Sequence, residues 1–265
     1  MQIDLLGIYI FIIMLNHVYI LPHGDEIIDM PNEESLKMNN TIKNVTENDD
    51  TVKIIISPHG LRLSDKIGIY MSYNFKGYYK TKNKIITKNY KNEIDLSDNI
   101  YEKTNSISEG INYITSGEGS YLFLDFGALI PLNFFKKSNI VVIGEPRFDN
   151  KEILINFGYD LYNVIKNYNK KISLIISADQ AHTHSKNGPY GYSPMAEKYD
   201  EMIKNWIIND DDTVKSIDNN FIKDAKPDSY WNMLILYGLI KASGIKLTLY
   251  YYYVQKYFGM LCAHY

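Results

Sequence analysis

The chain reads as one α/β domain of three layers, a central mixed, largely parallel β-sheet flanked by helices. Three observations predict it. Short apolar runs at residues 18–21, 52–56, 140–143 and 172–176 have the length and β-branched content of buried strands. Longer stretches between them carry apolar residues at spacings of three and four, the stripe of a helix packed on a sheet. No repeat, linker or low-complexity tract divides the 265 residues, a length that one large domain can fill.

Residues 3–15 are apolar but too short to span a bilayer. They lack a basic leading segment and a small-residue cleavage site, so translation is expected to begin at Met14 and the domain to occupy residues 14–265. Residues 15–21 then form the opening strand, ending at His23. Pro31 suits a helix start, and Leu36, Met38, Ile42 and Val45 approximate one helical face. With the strand at 52–56 this predicts a right-handed β-α-β unit, with His23 and His59 at the same edge of neighbouring parallel strands.

Residues 66–90 alternate apolar and polar around Asn74 and Gly77, as antiparallel strands joined by turns do, which makes the sheet mixed. A helix is predicted over 95–114, ended by Gly117 and Gly119 before a buried strand at 121–124. After the strand at 140–143, residues 151–169 place Ile153, Phe157, Leu161, Val164, Ile165 and Tyr168 on one helical stripe. The strand at 172–176 is followed by a polar loop and a helix at 194–206. A solvated turn at 210–212, a buried helix at 233–242 and a last long strand at 247–254 complete the order.

Composition narrows the function. A net charge of -3 leaves no positive excess for tracking phosphates, so nucleic acid is not an expected partner, nor is a membrane. Cys262, the single cysteine, excludes an intrachain disulfide, a Cys-based zinc site and a CxxC pair, and points to a reducing, cytoplasmic setting.

The chemistry concentrates in histidines at strand ends, where α/β sheets bind ligands. His23 and His59 each sit in Pro-His-Gly, which allows a sharp bend that aims the ring outward. Two imidazoles and a carboxylate can hold a divalent metal and leave positions open for substrate. The alternative is two loop histidines bonded to nearby carbonyls. His182 and His184 lie two apart beside Asp179, pointing the same way if the backbone is extended and diverging if it coils. His182 suits proton transfer with a substrate hydroxyl, while His184 is read as hydrogen-bonding Asp179 or the loop. Tyr190 and Tyr192 are candidate pocket walls. His17 and His264 are read as structural, His264 as exposed near the chain end, and residues 250–253 as alternating core and surface.

Taken in order, ILPHGDEII, ISPHGLRLSD, LFLDFGALIPL, SADQAHTHSKNGPYGYSP and YFGMLCAHY resemble the class III extradiol ring-cleavage dioxygenases, the family of the protocatechuate 4,5-dioxygenase β subunit. The likeness runs from about Met14 through nearly the whole chain. It implies a non-haem Fe(II) held by two histidines and a carboxylate, and O2-dependent opening of an aromatic ring beside vicinal hydroxyls. His23 and His59 match the histidine ligands, and His182 matches the acid/base histidine. The family's carboxylate, late in the chain before a helix, is matched by Asp228 in KPDSYWNML, with Asp25 and Glu26 as fallback ligands.

Many members carry a histidine where this chain has Phe126, between Asp125 and Gly127, which implies the loss of a polar contact to substrate. Asp125, Asp179, His184 and Tyr190 are the expected substrate-binding or supporting residues. The expected partners are a small aromatic molecule, O2 and a second copy of the chain. Two alternatives use the same scaffold: a Zn(II) hydrolase in which His182 activates water, and a non-catalytic ligand- or partner-binding protein like the relative Memo.

Overall fold

The computed structural model describes residues 14–112 and 121–265, so the extension at 1–13 and the glycines at 117 and 119 lie outside the described residues. The described chain runs β1 (Leu15–Leu21), α1 (Glu26–Asp29), α2 (Glu33–Thr46), β2 (Val52–Ser57), β3 (Ile67–Tyr70), β4 (Asn74–Lys80), β5 (Ile85–Lys91), α3 (Ile94–Thr104), β6 (Ser108–Ile111) and β7 (Tyr121–Leu124). It continues with α4 (Phe126–Leu132), β8 (Ile140–Gly144), α5 (Lys151–Lys166), β9 (Ile172–Ser177), α6 (Met195–Asn209), α7 (Thr213–Ser216), α8 (Asn219–Ala225), α9 (Tyr230–Ser243), β10 (Thr248–Gln255) and β11 (Phe258–His264).

Among the described residues the main sheet has eight strands in the order β10-β11-β1-β9-β2-β8-β3-β6. Its centre, β1-β9-β2-β8, is parallel, while β10–β11, β11–β1 and β8–β3 pair antiparallel. Side chains alternate across it as the strand period requires. Val18, Ile20, Ile54, Ile56, Leu174 and Ile176 face α3, α5 and α6 to α9, whereas Tyr19, Leu21, Ile55 and Ile175 face α2, α4 and a smaller sheet. The result is the expected single α/β domain, with three layers around the mixed sheet.

Several expectations are corrected. β9 inserts between β1 and β2, so the strands leading to His23 and His59 are parallel but not adjacent. The alternating segment does form antiparallel β4 and β5, but these belong to a separate three-stranded sheet with β7, and Gly77 lies within β4 rather than in a turn. β7 is correspondingly not a buried central strand: of its residues only Leu124 is buried. The helix predicted over 95–114 stops at Thr104 and gives way to β6.

On α2 Met38 and Ile42 are buried as expected, but Leu36 is 44 % exposed and Ser35, Asn39 and Thr46 complete the buried face, while Pro31 precedes the Asn32 cap. Helix α5 packs chiefly on α9: a β-carbon on Gly158 would run into the carbonyl oxygen of Ile235, and one on Gly238 into that of Ile155. β10 is followed by β11, which pairs with β1 and carries His264 against His17 at 2.9 Å and stacked on Tyr19. His264 is thus part-buried in a ring cluster rather than exposed.

Candidate metal centre

The four parallel strands end in register at one edge: Leu21 beside Ser177, and Ser57 beside Gly144. The segments that follow carry His23, His59, Asp179, His182, Glu145 and Arg147 to the carboxyl side of the sheet, where strand-end loops converge. The glycines after the two histidines serve close approach rather than a left-handed bend. A β-carbon on Gly24 would run into Met260 and one on Gly60 into the Tyr70 hydroxyl, while the positive-φ glycines among the described residues are Gly191 and Gly244.

Asp228 arrives from the turn between α8 and α9, and three donor atoms meet. His23 Nε2 lies 2.9 Å from both His59 Nε2 and Asp228 Oδ2, and His59 Nε2 lies 3.2 Å from Asp228 Oδ2. Two donors at right angles about an ion, each about 2.1 Å from it, stand about 3.0 Å apart. The triangle therefore fits one face of a divalent metal's coordination shell. A second cluster overlaps it, bringing donor atoms of Asp179, His182 and Asp228 within 4.8 Å of one another. Asp25 and Glu26 do not join either group among the described residues, and Glu26 faces Lys256 at 3.5 Å.

The electrostatics are those of a site built around positive charge. Burial alone would depress the His23 pKa, but the Asp179 and Asp228 carboxylates outweigh it and raise the pKa to about 9. Burial pushes Asp228 up, and the His23 and His59 rings beside it overcome that and hold the carboxyl well below the usual range. Asp179 is raised to about 6 by burial, with His23 opposing and Asp228 adding. Asp179 also accepts the backbone N–H of His23 at 3.1 Å, which fixes the loop that presents the ring.

His182 sits beside this triangle. Its Nδ1 is 2.8 Å from the Gln180 carbonyl, which can only accept, so Nδ1 carries the hydrogen and Nε2 of the neutral ring is a base. The ring stacks on Phe258 and meets Tyr190 edge-on. His184 diverges from it: its Nε2 bonds Asp200 on α6 at 2.8 Å rather than Asp179, so it braces the loop and is not brought to the metal centre. Tyr192, 56 % exposed, stands outside as well.

A cavity of about 680 Å³ opens beside the donors, lined by His59, His182 and Asp228 together with Arg147, Tyr190 and Trp231. Lys151, Lys223 and Lys226 also line it, so cations gather here in a chain of net negative charge.

Further residues hold the centre in place: Asp125, expected as a supporting residue, and Ser57 and Arg147, which the sequence did not single out. Asp125 caps α4 through Ala128 N and accepts the Ser57 hydroxyl at 2.5 Å. Phe126 stacks on His59 with ring centroids 4.2 Å apart, so this position gives the ring of a candidate ligand an apolar wall. Gly127 leaves room for the His59 ring and for Ser57, since a β-carbon there would stand 3.0 Å from His59 Cδ2 and 2.7 Å from Ser57 Oγ. Arg147 lies over Trp231 and donates to Glu145 Oε1 and to the Asp228 carbonyl. One signal was available: in a chain rich in lysine, Arg62 and Arg147 are the two arginines, and both flank this site.

The parallel sheet with a His–His–Asp group at its carboxyl edge defines an α/β scaffold able to hold a metal. The chain belongs to the family described as the catalytic LigB subunit of aromatic ring-opening dioxygenase, whose model matches residues 16–261. It is 27 % identical over 252 residues to Protein CA_C1420 of Clostridium acetobutylicum, covering 88 % of this chain and 53 % of that protein. The chain thus spans about half the length of this curated relative. Its fold is similar to that of uncharacterized protein JW3007 from Escherichia coli K12, with a TM-score of 0.63 at 13 % identity over 94 % of this chain and 98 % of that one. Among the described residues, no helix is long and apolar enough to cross a membrane.

Proposed function

We propose that the protein is an Fe(II)-dependent extradiol-type dioxygenase acting on a small catechol-like molecule. The observation that carries this reading is the convergence of His23, His59 and Asp228 donors within 3.2 Å beside an open cavity that also presents His182. An ion held by these three donors would keep positions open for a diol and for O2.

His23, His59 and Asp228 would hold the ion. When bound, Fe(II) would supply a centre at which a deprotonated diol and O2 exchange electrons. The protein's own part is orientation and proton transfer. His182 Nε2 takes a hydroxyl proton as the diol docks and returns it to oxygen as the ring opens, its ring held in orientation by the Gln180 carbonyl and Phe258. Trp231, Tyr190 and Phe148 offer flat apolar surface to an aromatic ring, and Arg147 with the lining lysines favours an anionic diol or an acidic substituent. In this reading the molecule works as a homodimer in the cytoplasm.

Oxygen uptake tests it. Protein loaded anaerobically with Fe(II) is expected to consume O2 with catechols bearing an acidic group and to form a ring-opened product of strong near-ultraviolet or visible absorbance. A zinc hydrolase predicts no uptake, and a non-catalytic binding protein predicts neither uptake nor dependence on His182.

A further inference from the structure

Ser177, the last residue of β9, is fully buried at 0 % exposure. Its hydroxyl oxygen lies 2.5 Å from the Gly127 carbonyl and 2.9 Å from His23 Nδ1. A hydroxyl has one proton to give, and a carbonyl can only accept. The proton therefore goes to Gly127, and Ser177 Oγ must accept its bond from His23 Nδ1–H. That commits Nδ1 to carrying hydrogen, so Nε2, facing His59 and Asp228, is the nitrogen that would yield its proton and lone pair to an ion.

We propose that Ser177 is a positioning residue that decides which ring nitrogen of His23 faces the ion. The Gly127 carbonyl takes the serine proton, and the serine oxygen in turn demands a donor from the imidazole. His59 is ordered by a different device, its stacking on Phe126 at 4.2 Å. Both devices meet in α4, since Gly127 and Phe126 are its first residues and Ser57 holds its Asp125 cap. An outer bond of this kind to a metal-ligating histidine fixes its tautomer, and its loss weakens metal binding by about 10–100-fold. The inference rests on the metal-binding part of the proposed function and is independent of ring cleavage.

The test uses the full chain, nitrogen-15 labelled and titrated with Zn(II) alone. Long-range proton–nitrogen spectra of the zinc-loaded wild type are expected to show His23 with a protonated, slowly exchanging Nδ1 and a metal-bound Nε2. Ser177→Ala is expected to bind Zn(II) about tenfold more weakly and to expose the Nδ1 proton to rapid exchange, while Ser177→Thr, which keeps the hydroxyl, restores both. Coordination of wild-type His23 through Nδ1 overturns the proposal whatever the variants do. So does a Ser177→Ala protein with unchanged affinity and a protected Nδ1 proton, or a loss of affinity that Ser177→Thr does not repair. Wild type that binds no Zn(II) overturns the metal reading and this inference together, whereas wild-type binding with an indifferent Ser177→Ala overturns this inference alone.

Discussion

Arg147 Nη2 donates to the backbone carbonyl of Asp228 at 2.9 Å, tying the segment after β8 to the candidate carboxylate ligand. Its Nε is held at 2.9 Å by Glu145, and its plane lies over Trp231. A lysine cannot reproduce this fork. Arg147→Lys is expected to lower Zn(II) affinity about tenfold, as loss of other outer contacts to metal ligands does, while the unfolding midpoint falls only slightly. Unchanged affinity by calorimetric titration would show that the Asp228 turn holds itself.

His182 and His184 are expected to separate cleanly. His182→Gln should lower kcat by roughly 10²–10⁴-fold, the usual contribution of a positioned acid/base, with metal content unchanged because His182 lies outside the donor triangle. His184→Gln should lower stability through the lost Asp200 bond and leave kcat near wild type. Metal analysis alongside oxygen-uptake rates reads both.

Glu145 predicts a pH dependence of folding. It is 2 % exposed, and burial raises its pKa from 4.5 to about 8, Arg147 opposing and Asp228 adding. The folded state thus keeps a proton that the unfolded state releases at lower pH. This contribution to stability is full below the unfolded value of 4.5 and is lost as pH rises toward 8. Glu145→Gln, which cannot ionise, should flatten the decline in the urea midpoint across that window. A decline of equal steepness in the variant assigns it to other groups.

Gly158→Ala should destabilise the protein by about 1–3 kcal/mol, the cost of overpacking a close contact. The methyl group would meet the Ile235 carbonyl and stand 2.8 Å from Leu239 N, both backbone atoms of α9 that cannot rotate aside. Urea unfolding measures this, and a midpoint equal to wild type would mean that the helices slide apart at no cost.

The parts of the fold legible in the sequence were those whose signal is local. Isoleucine-rich β2, β8 and β9 could be nothing but buried strands, and α5 and α9 carried enough apolar residues to be recognised. Period-two alternation marked β4 and β5 as strands but holds no information on which sheet they join, so the second sheet was missed. β11 was missed because Gly259, Cys262 and Ala263 dilute its apolar run. At the site, His23, His59 and His182 stood out by residue type and strand-end position, and Asp228 came from the resemblance alone. Ser57 and Ser177 were invisible because their importance lies in contacts with residues far along the chain, and Glu145 because its burial depends on the packed loops around it.

The placement of β9 between the strands that lead to His23 and His59 would set the timing of metal uptake in the proposed site. A nascent chain displays both imidazoles long before the strand that spaces them has been synthesised, and longer still before Asp228 emerges. An ion encountered early would find scattered ligands rather than a cup, and stable loading would wait for the finished sheet. Metal content in a preparation would accordingly count mature molecules, and a chain truncated before residue 172 should bind Zn(II) no better than ordinary loop histidines do.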